Sequence, residues 1–166
     1  MEPTICYRAH TPEWASMPTS GAGAAKNGGR WNARGRPALY LSFDPLTAVK
    51  EANQQVLDFI PVTLVRYQVS GGLIAAYHDA AMRKKHDLAD DLMIRPWWGP
   101  QYAQKLSPSQ EAAEVLIAAG LDGLIYPSTQ AAGRNLVLWR WNETEAPQVH
   151  AEDKHGLLPK NRDSWR

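Results

Sequence analysis

Residues 28–42 read GGRWNARGRPALYLS, and this stretch constrains the chain more than any other. Two glycines run directly into Arg30 and Trp31, and a few residues later an apolar, β-prone run carries Tyr40. Glycine reaches backbone angles that other residues avoid and lets a ligand come close to the main chain. Arginine offers a planar, permanently charged fork that matches phosphate. Flexible loop, arginine, aromatic and strand, in that order, predict a ligand-binding lip rather than a plain connection.

Around this lip the chain reads as mixed α and β, without a repeat, a heptad pattern or an interdomain linker. Residues 4–9 (TICYRA), 37–42 (PALYLS), 59–69 (FIPVTLVRYQV), 123–126 (GLIY) and 134–141 (RNLVLWRW) are β-prone. Residues 11–36 form a long loop rich in Gly, Ala, Pro and Ser, and ordered loops of this length are usually functional. Asp44-Pro45 reads as an N-cap and a first helical residue, opening a helix to about Leu57. The apolar stripe of that helix is Leu46, Val49, Val56 and Leu57. Ser107, Pro108 and Gln110 make a capping box for another helix, which Gly120 stops. Residues 73–106 are expected to hold one or two short helices around MRKKH (82–86), broken at Arg95-Pro96 and Gly99-Pro100. From Asn142 the tail is polar, and is expected to wrap the surface or to be partly mobile.

Composition narrows the function classes. At 166 residues a single domain is expected, able to bury roughly 70% of its unfolded surface without staples or metals. Lys+Arg 18 against Asp+Glu 17 leaves a net charge of +1, which gives no support for a direct nucleic-acid footprint. The single Cys6 excludes an internal disulfide and a cysteine-rich zinc site, and fits a reducing compartment. No window approaches about 20 consecutive apolar residues, and the N-terminus lacks a signal-peptide pattern. The expectation is a cytoplasmic protein with no membrane partner. The run GAGAAKNGG (21–29) fails the Walker pattern, because Lys26 follows alanine and no Ser or Thr follows it. It fails the dinucleotide fingerprint too, with Lys26 where the third glycine belongs and no buried strand before it.

The run GGRWNARGRPALYLS, preceded by TSGAGAAKN and followed by Glu51, resembles the RES domain, the toxin half of bacterial RES–Xre toxin–antitoxin pairs. That family is named for an arginine, a glutamate and a serine, which here would be Arg30, Glu51 and Ser128. The opening YRAH resembles the family's first strand, with Arg8, and GLDGLIYPSTQAAGRNLVLW resembles its second block. The resemblance runs in order over roughly residues 5 to 141. It implies an α+β single domain with an ADP-ribosyltransferase-like mixed β core flanked by short helices. Residues 1–141 would be the NAD-consuming domain and 142–166 a polar C-terminal extension of it.

The implied activity is cleavage of NAD between nicotinamide and ribose, with ADP-ribose passed to water, phosphate or a protein target. NAD is then a substrate, no metal is needed, and the implied partner is an Xre-like antitoxin. The implied catalytic residues are Arg30, Tyr40, Glu51 and Ser128. NAD contacts would come from Arg8, Arg30, Tyr40, Ser128 and Asn135. Breaking that bond expels neutral nicotinamide and leaves an oxocarbenium-like sugar, so the site should grip two phosphates and place negative charge near the forming cation. Arg30, helped by Arg8, would bind the pyrophosphate or ribose hydroxyls. Tyr40 would stack on a ring. Glu51 would accept from a ribose hydroxyl and stabilise the cation. Ser128, with Asn135, would orient nicotinamide or ribose.

Taken singly, each residue has a plainer reading. Arg30 could pair with a surface carboxylate, Tyr40 could be strand core, Arg8 a strand-face charge and Ser128 a turn cap. Glu51 lies about 140° around the helix from Leu46, away from the apolar stripe, which reads as a solvated glutamate. Two other functions stay open: a non-catalytic RES-type binding module, and a metal-dependent phosphohydrolase built on His78-Asp79 and His86-Asp87. Against the latter, those histidines would sit roughly 80° apart on one helix, a poor shared-ligand geometry. The run Arg83, Lys84 and Lys85 reads as a solvated helix face. Trp97-Trp98 reads as a packed corner or an exposed contact.

Overall fold

Alternation along the strands sends two apolar sets of side chains to opposite faces, and one sheet sandwiched between two cores results. The structure is a computed structural model that describes residues 1–53 and 60–165. In chain order the elements are β1 (Thr4–His10), α1 (Ala22–Asn27), β2 (Leu39–Ser42), α2 (Pro45–Ala52), β3 (Thr63–Ser70) and β4 (Ile74–Ala76). They continue with α3 (Ala80–Lys85), α4 (Trp98–Tyr102), α5 (Pro108–Ala118), β5 (Gly123–Pro127), β6 (Arg134–Leu138) and β7 (Gln148–Glu152). The strands form one mixed seven-stranded sheet in the order β4-β5-β6-β2-β1-β3-β7, with only β4–β5 parallel. This is an α+β single domain.

Leu39, Leu41, Leu136, Leu138, Cys6, Val65, Tyr67 and Val69 build one core. Their alternates Val137, Leu124 and Tyr126 build the other, with Trp31, Tyr77, Trp139 and the α5 residues Ala112, Ala113 and Leu116. Each buried Val or Leu contributes about 1.5–3 kcal/mol.

The sheet opens in the middle. β1 pairs with β3 along its whole length, from Thr4↔Val69 to His10↔Thr63. Between β1 and β2 the only residue pair is Tyr7↔Ser42. Beyond it the two strands diverge, so Arg8 and Ala9 on one side and Tyr40 and Leu41 on the other line a cleft through the sheet.

Local signals hold where they are local. The Asp44 side chain accepts from the Thr47 N–H at 2.8 Å, and the Ser107–Gln110 capping box is complete. Gly120, at φ +82°, follows the end of α5. Six expectations change, the first being that the 11–36 loop holds the short helix α1. Leu46 is 62% exposed, and α2 instead buries Thr47 and Ala48; Val56 and Leu57 lie outside the described residues. β4 carries no sequence signal, because three residues give no readable period. Gly99-Pro100 does not break a helix but lies inside α4, where Pro100 is the third residue and its missing N–H has no intrahelical acceptor to lose. Residues 148–152 of the polar tail form β7, paired with β3 from Arg66↔Glu152 to Ser70↔Gln148. Arg83 is no solvated charge: it pairs with Asp90, donates to the Tyr77 carbonyl and lies over the Tyr77 ring.

Candidate active site

Arg30 sits at the tip of a tight turn closed by reciprocal backbone bonds between Gly29 and Asn32, 2.9 and 3.4 Å. The next side chain, Trp31, is fully buried in the core. The turn is clamped from four directions. The Tyr40 hydroxyl accepts from the Trp31 N–H at 3.0 Å and donates to Asn32 Oδ1 at 2.7 Å. Asn32 Nδ2 donates to the carbonyls of Ala24, Ala33 and Arg36. Gln110 Nε2, from α5, donates to the carbonyls of Gly29 and Asn32. Trp139 Nε1 donates to the Trp31 carbonyl at 2.7 Å. A Cβ on Gly29 would lie 2.6 Å from the Tyr40 hydroxyl, so only glycine admits this clamp. Arg30 itself donates through Nη1 to the carbonyls of Leu92 and Arg95, 3.1 and 3.0 Å, tying the 92–95 segment beside the cleft.

Glu51 comes from the last turn of α2. Because α2 turns Thr47 and Ala48 inward, Glu51, four and three residues on, follows them. Its Oε1 accepts from Ser128 Oγ and from Asn135 Nδ2, both at 2.6 Å. Asn135 is held in turn by Ser42 Oγ, which donates to Asn135 Oδ1 at 2.7 Å. Ser128 Oγ accepts from the N–H groups of Gln130 and Ala131, fixing the turn after β5. That turn packs so closely on the start of α2 that a Cβ on Gly133 would meet Thr47 Oγ1 at 2.1 Å. Ser128 and Asn135 thus fix one carboxylate oxygen, and among the described residues Oε2 has no hydrogen-bond partner.

Arg8 approaches from β1. Its Nη1 donates to the Ser20 carbonyl at 3.2 Å. The two preceding carbonyls are held as well, Thr19 by Trp141 Nε1 and Pro18 by the Tyr67 hydroxyl. His10 Nε2 lies 2.6 Å from that hydroxyl; since the hydroxyl proton goes to Pro18, the histidine donates. Burial, and then the Arg8 charge, push the His10 pKa down to about 3, so the ring is neutral. Burial lowers the pKa of both Arg8 and Arg30; Tyr67 partly offsets this for Arg8, and Tyr126 and then Glu51 do so for Arg30. Arginine nonetheless keeps its charge at neutral pH. The ion pairs among the described residues involve Arg36, Arg66, Arg83, Arg95 and Arg140, not Arg8 or Arg30. Two desolvated cations with only carbonyl partners make the site electropositive and ready for an anion.

These groups surround a cavity of about 410 Å³, lined by Tyr7, Arg8, Ala9, Gly28, Gly29, Arg30, Tyr40, Ser42, Glu51, Met93, Trp97, Tyr126, Thr129 and Asn135, among others. The volume falls in the range of small-molecule sites. Arg8, Arg30, Tyr40, Glu51 and Asn135 therefore meet at one cleft, while Ser128 reaches it through Glu51. Tyr40 is committed to the Arg30 turn through its hydroxyl, and burial raises its phenol well above the ordinary value.

Residues 5–161 match the family described as the RES domain. The chain belongs to the RES domain family. Its fold is similar to a chain of the M. tuberculosis MbcT–MbcA toxin–antitoxin complex, at 20% identity and a TM-score of 0.63, covering 91% of this chain and 84% of that one. No curated protein matches it.

In this RES domain several cavity residues escape a reading of the sequence. Tyr126 could have been found by alternation, since it shares a sheet face with Leu124. Asn32 and Gln110, which clamp the Arg30 turn rather than line the cavity, escape it as well: Asn32 carries no sequence signal, and Gln110 signals only its helix cap. Met93 and Trp97 come from the segment without periodicity, and Trp97 resolves as a cavity wall while Trp98 is exposed. The His-Asp pairs do not converge. Asp79 caps α3, accepting from Ala81 N and Met82 N, and among the described residues no group of three His, Cys, Asp or Glu could hold a metal. Also among the described residues, no helix is long and apolar enough to cross a membrane.

Proposed function

We propose that this RES domain cleaves NAD at the nicotinamide–ribose bond and acts as the toxin of a toxin–antitoxin pair. The observation that carries the reading is one cleft lined both by Arg8 and Arg30, neither ion-paired among the described residues, and by the Glu51 carboxylate. A dinucleotide needs both: cations for its pyrophosphate and an anion for the sugar that becomes cationic. In the reaction the C–N bond breaks, its electron pair leaves with neutral nicotinamide, and positive charge develops on the ribose. Glu51, oriented by Ser128 and Asn135, offers its second oxygen to a ribose hydroxyl and stabilises that charge. An oxygen of water, phosphate or a protein side chain then bonds to the sugar carbon and sheds its proton. Tyr40 holds the Arg30 turn and contributes a cavity wall.

The partner in this reading is an Xre-like antitoxin, of which the similar fold within a toxin–antitoxin complex supports the antitoxin but not its type, and the setting is the cytoplasm. The test mixes purified protein with NAD, with and without phosphate, and follows free nicotinamide. Release abolished by Arg30→Ala and by Glu51→Ala in folded protein supports the reading, and phosphate dependence separates phosphorolysis from hydrolysis. No release, and no ADP-ribosylated protein in a lysate, overturns it in favour of a binding module.

A further inference from the structure

One polar group in the cleft has no part in the chemistry so far described. Tyr126, in β5, is 8% exposed and lines the cavity. Its ring is fixed against Trp31, centroids 5.6 Å apart. Pairing of β5 with β6 sets it directly opposite Asn135, the residue that orients Glu51, and Ser128 lies two residues further along the chain. Buried tyrosine hydroxyls ordinarily find a hydrogen-bond partner. Among the described residues the Tyr126 hydroxyl has none, in contrast to Tyr40, Tyr67 and Tyr77, whose hydroxyls all bond to protein. It is not sealed in the core either: among the described residues it is not one of the fully buried side-chain atoms that lack a hydrogen bond. The hydroxyl therefore opens to the cavity.

We propose that the Tyr126 hydroxyl is a direct ligand contact, donating a hydrogen bond to an oxygen of the distal ribose beside Glu51 rather than to the phosphates. The proposal rests on the NAD-cleaving reading for the identity of the ligand. Three features place the contact at the sugar. Cross-strand neighbours have Cβ atoms about 5 Å apart, so Tyr126 shares the Asn135–Glu51 end of the cleft. The other groups there, Glu51 and the Asn135 amide that serves it, leave a ligand oxygen in need of a neutral donor. Burial, then Tyr40 and Glu51, push the phenol well above its ordinary value, with Arg30 opposing least, so it keeps its proton and can only donate or accept as a hydroxyl. Tyr126 is thus a donor that stays neutral while charge develops on the sugar.

The test is Tyr126→Phe, which removes one oxygen and leaves the ring. Binding of ADP-ribose and of ADP, which lacks the distal ribose, is measured by calorimetry for wild type and variant, alongside nicotinamide release and thermal unfolding. ADP-ribose affinity is expected to fall about five- to tenfold, ADP affinity to stay within twofold and kcat/KM for NAD to fall about tenfold or more. The melting temperature should hold or rise, because no protein partner is lost. Unchanged ADP-ribose affinity, or equal loss for both ligands, overturns the contact even when wild type releases nicotinamide. Wild type that binds ADP-ribose in a Tyr126-dependent way, yet neither releases nicotinamide nor ADP-ribosylates a protein in a lysate, sinks the cleavage reading and leaves the contact standing. Failure of wild type to bind either ligand overturns both.

Discussion

Replacing Glu51 by Gln separates the charge of this residue from its place in the fold. The Gln carbonyl can occupy the position of Oε1 and accept from Ser128 Oγ and Asn135 Nδ2 as before. The amide nitrogen then takes the place of Oε2, which has no partner among the described residues. Stability should change by less than about 1 kcal/mol, roughly 2–4 °C in melting temperature for a domain this size. The chemistry loses a full negative charge. Two unit charges about 4 Å apart interact by about 4 kcal/mol at an effective dielectric of 20, which corresponds to roughly a thousandfold in rate. Glu51→Ala provides the contrast. It leaves the Ser128 hydroxyl and the Asn135 amide short of an acceptor, at about 1–3 kcal/mol each, and so should lower the melting temperature as well as the rate. The assay is nicotinamide release under saturating NAD, with thermal unfolding of each variant. A Gln variant that melts like wild type yet keeps more than a tenth of its rate would refute the electrostatic role of Glu51.

Two further outcomes follow from the supports of the site. Asn32→Ala removes the side-chain donor from three carbonyls, of which those of Ala24 and Ala33 keep backbone donors, and the acceptor of the Tyr40 hydroxyl proton; it should cost about 2 kcal/mol or more, read as a shift in urea midpoint, and a shift under about 1 kcal/mol would show the turn is held by other means. His10, with its pKa depressed from 6.5 to about 3 in the folded state, makes stability depend on pH. Below about 6.5 the unfolded chain takes up a proton that the folded chain refuses, so this contribution is present above that pH and is lost as pH falls toward 3, by up to about 1.4 kcal/mol per pH unit. His10→Gln, which retains a donor for Tyr67, should flatten the denaturation midpoint between pH 6.5 and 4; parallel profiles for the two proteins would contradict the depressed value.

The parts of this protein that were legible in its sequence are those set by neighbours along the chain. Asp44 and Thr47, or Ser107 and Gln110, find each other within one turn, so their caps follow from local chemistry. The glycine pair before Arg30 announces a turn that only glycine permits, and the ordered motifs around it pointed to the RES family. The orientation of α2 could not be read this way. Its large apolar residue, Leu46, faces solvent, while the small residues Thr47 and Ala48 face inward. Close approach of the Gly133 turn rewards small side chains at that contact, and a pattern of hydrophobic size points the helix the wrong way.

Tertiary structure decided the site itself. Arg30, Glu51, Ser128 and Asn135 are spread over more than half the chain, and nothing in their spacing says that Ser128 and Asn135 bond to the same carboxylate oxygen. Nor does any local pattern show that the sheet parts after Tyr7↔Ser42, which creates the cleft that Arg8 and Tyr40 line from opposite strands. The segment carrying Met93 and Trp97 lacks periodicity because it packs as an irregular strap, tied to the cleft by Arg30 rather than by a repeating apolar face. The sequence by itself thus determined the caps, the turn and the kind of chemistry its residues can support. Which charges face one another across the cleft was decided by long-range pairing, because strand register and helix packing are properties of surfaces that meet only when the chain is folded.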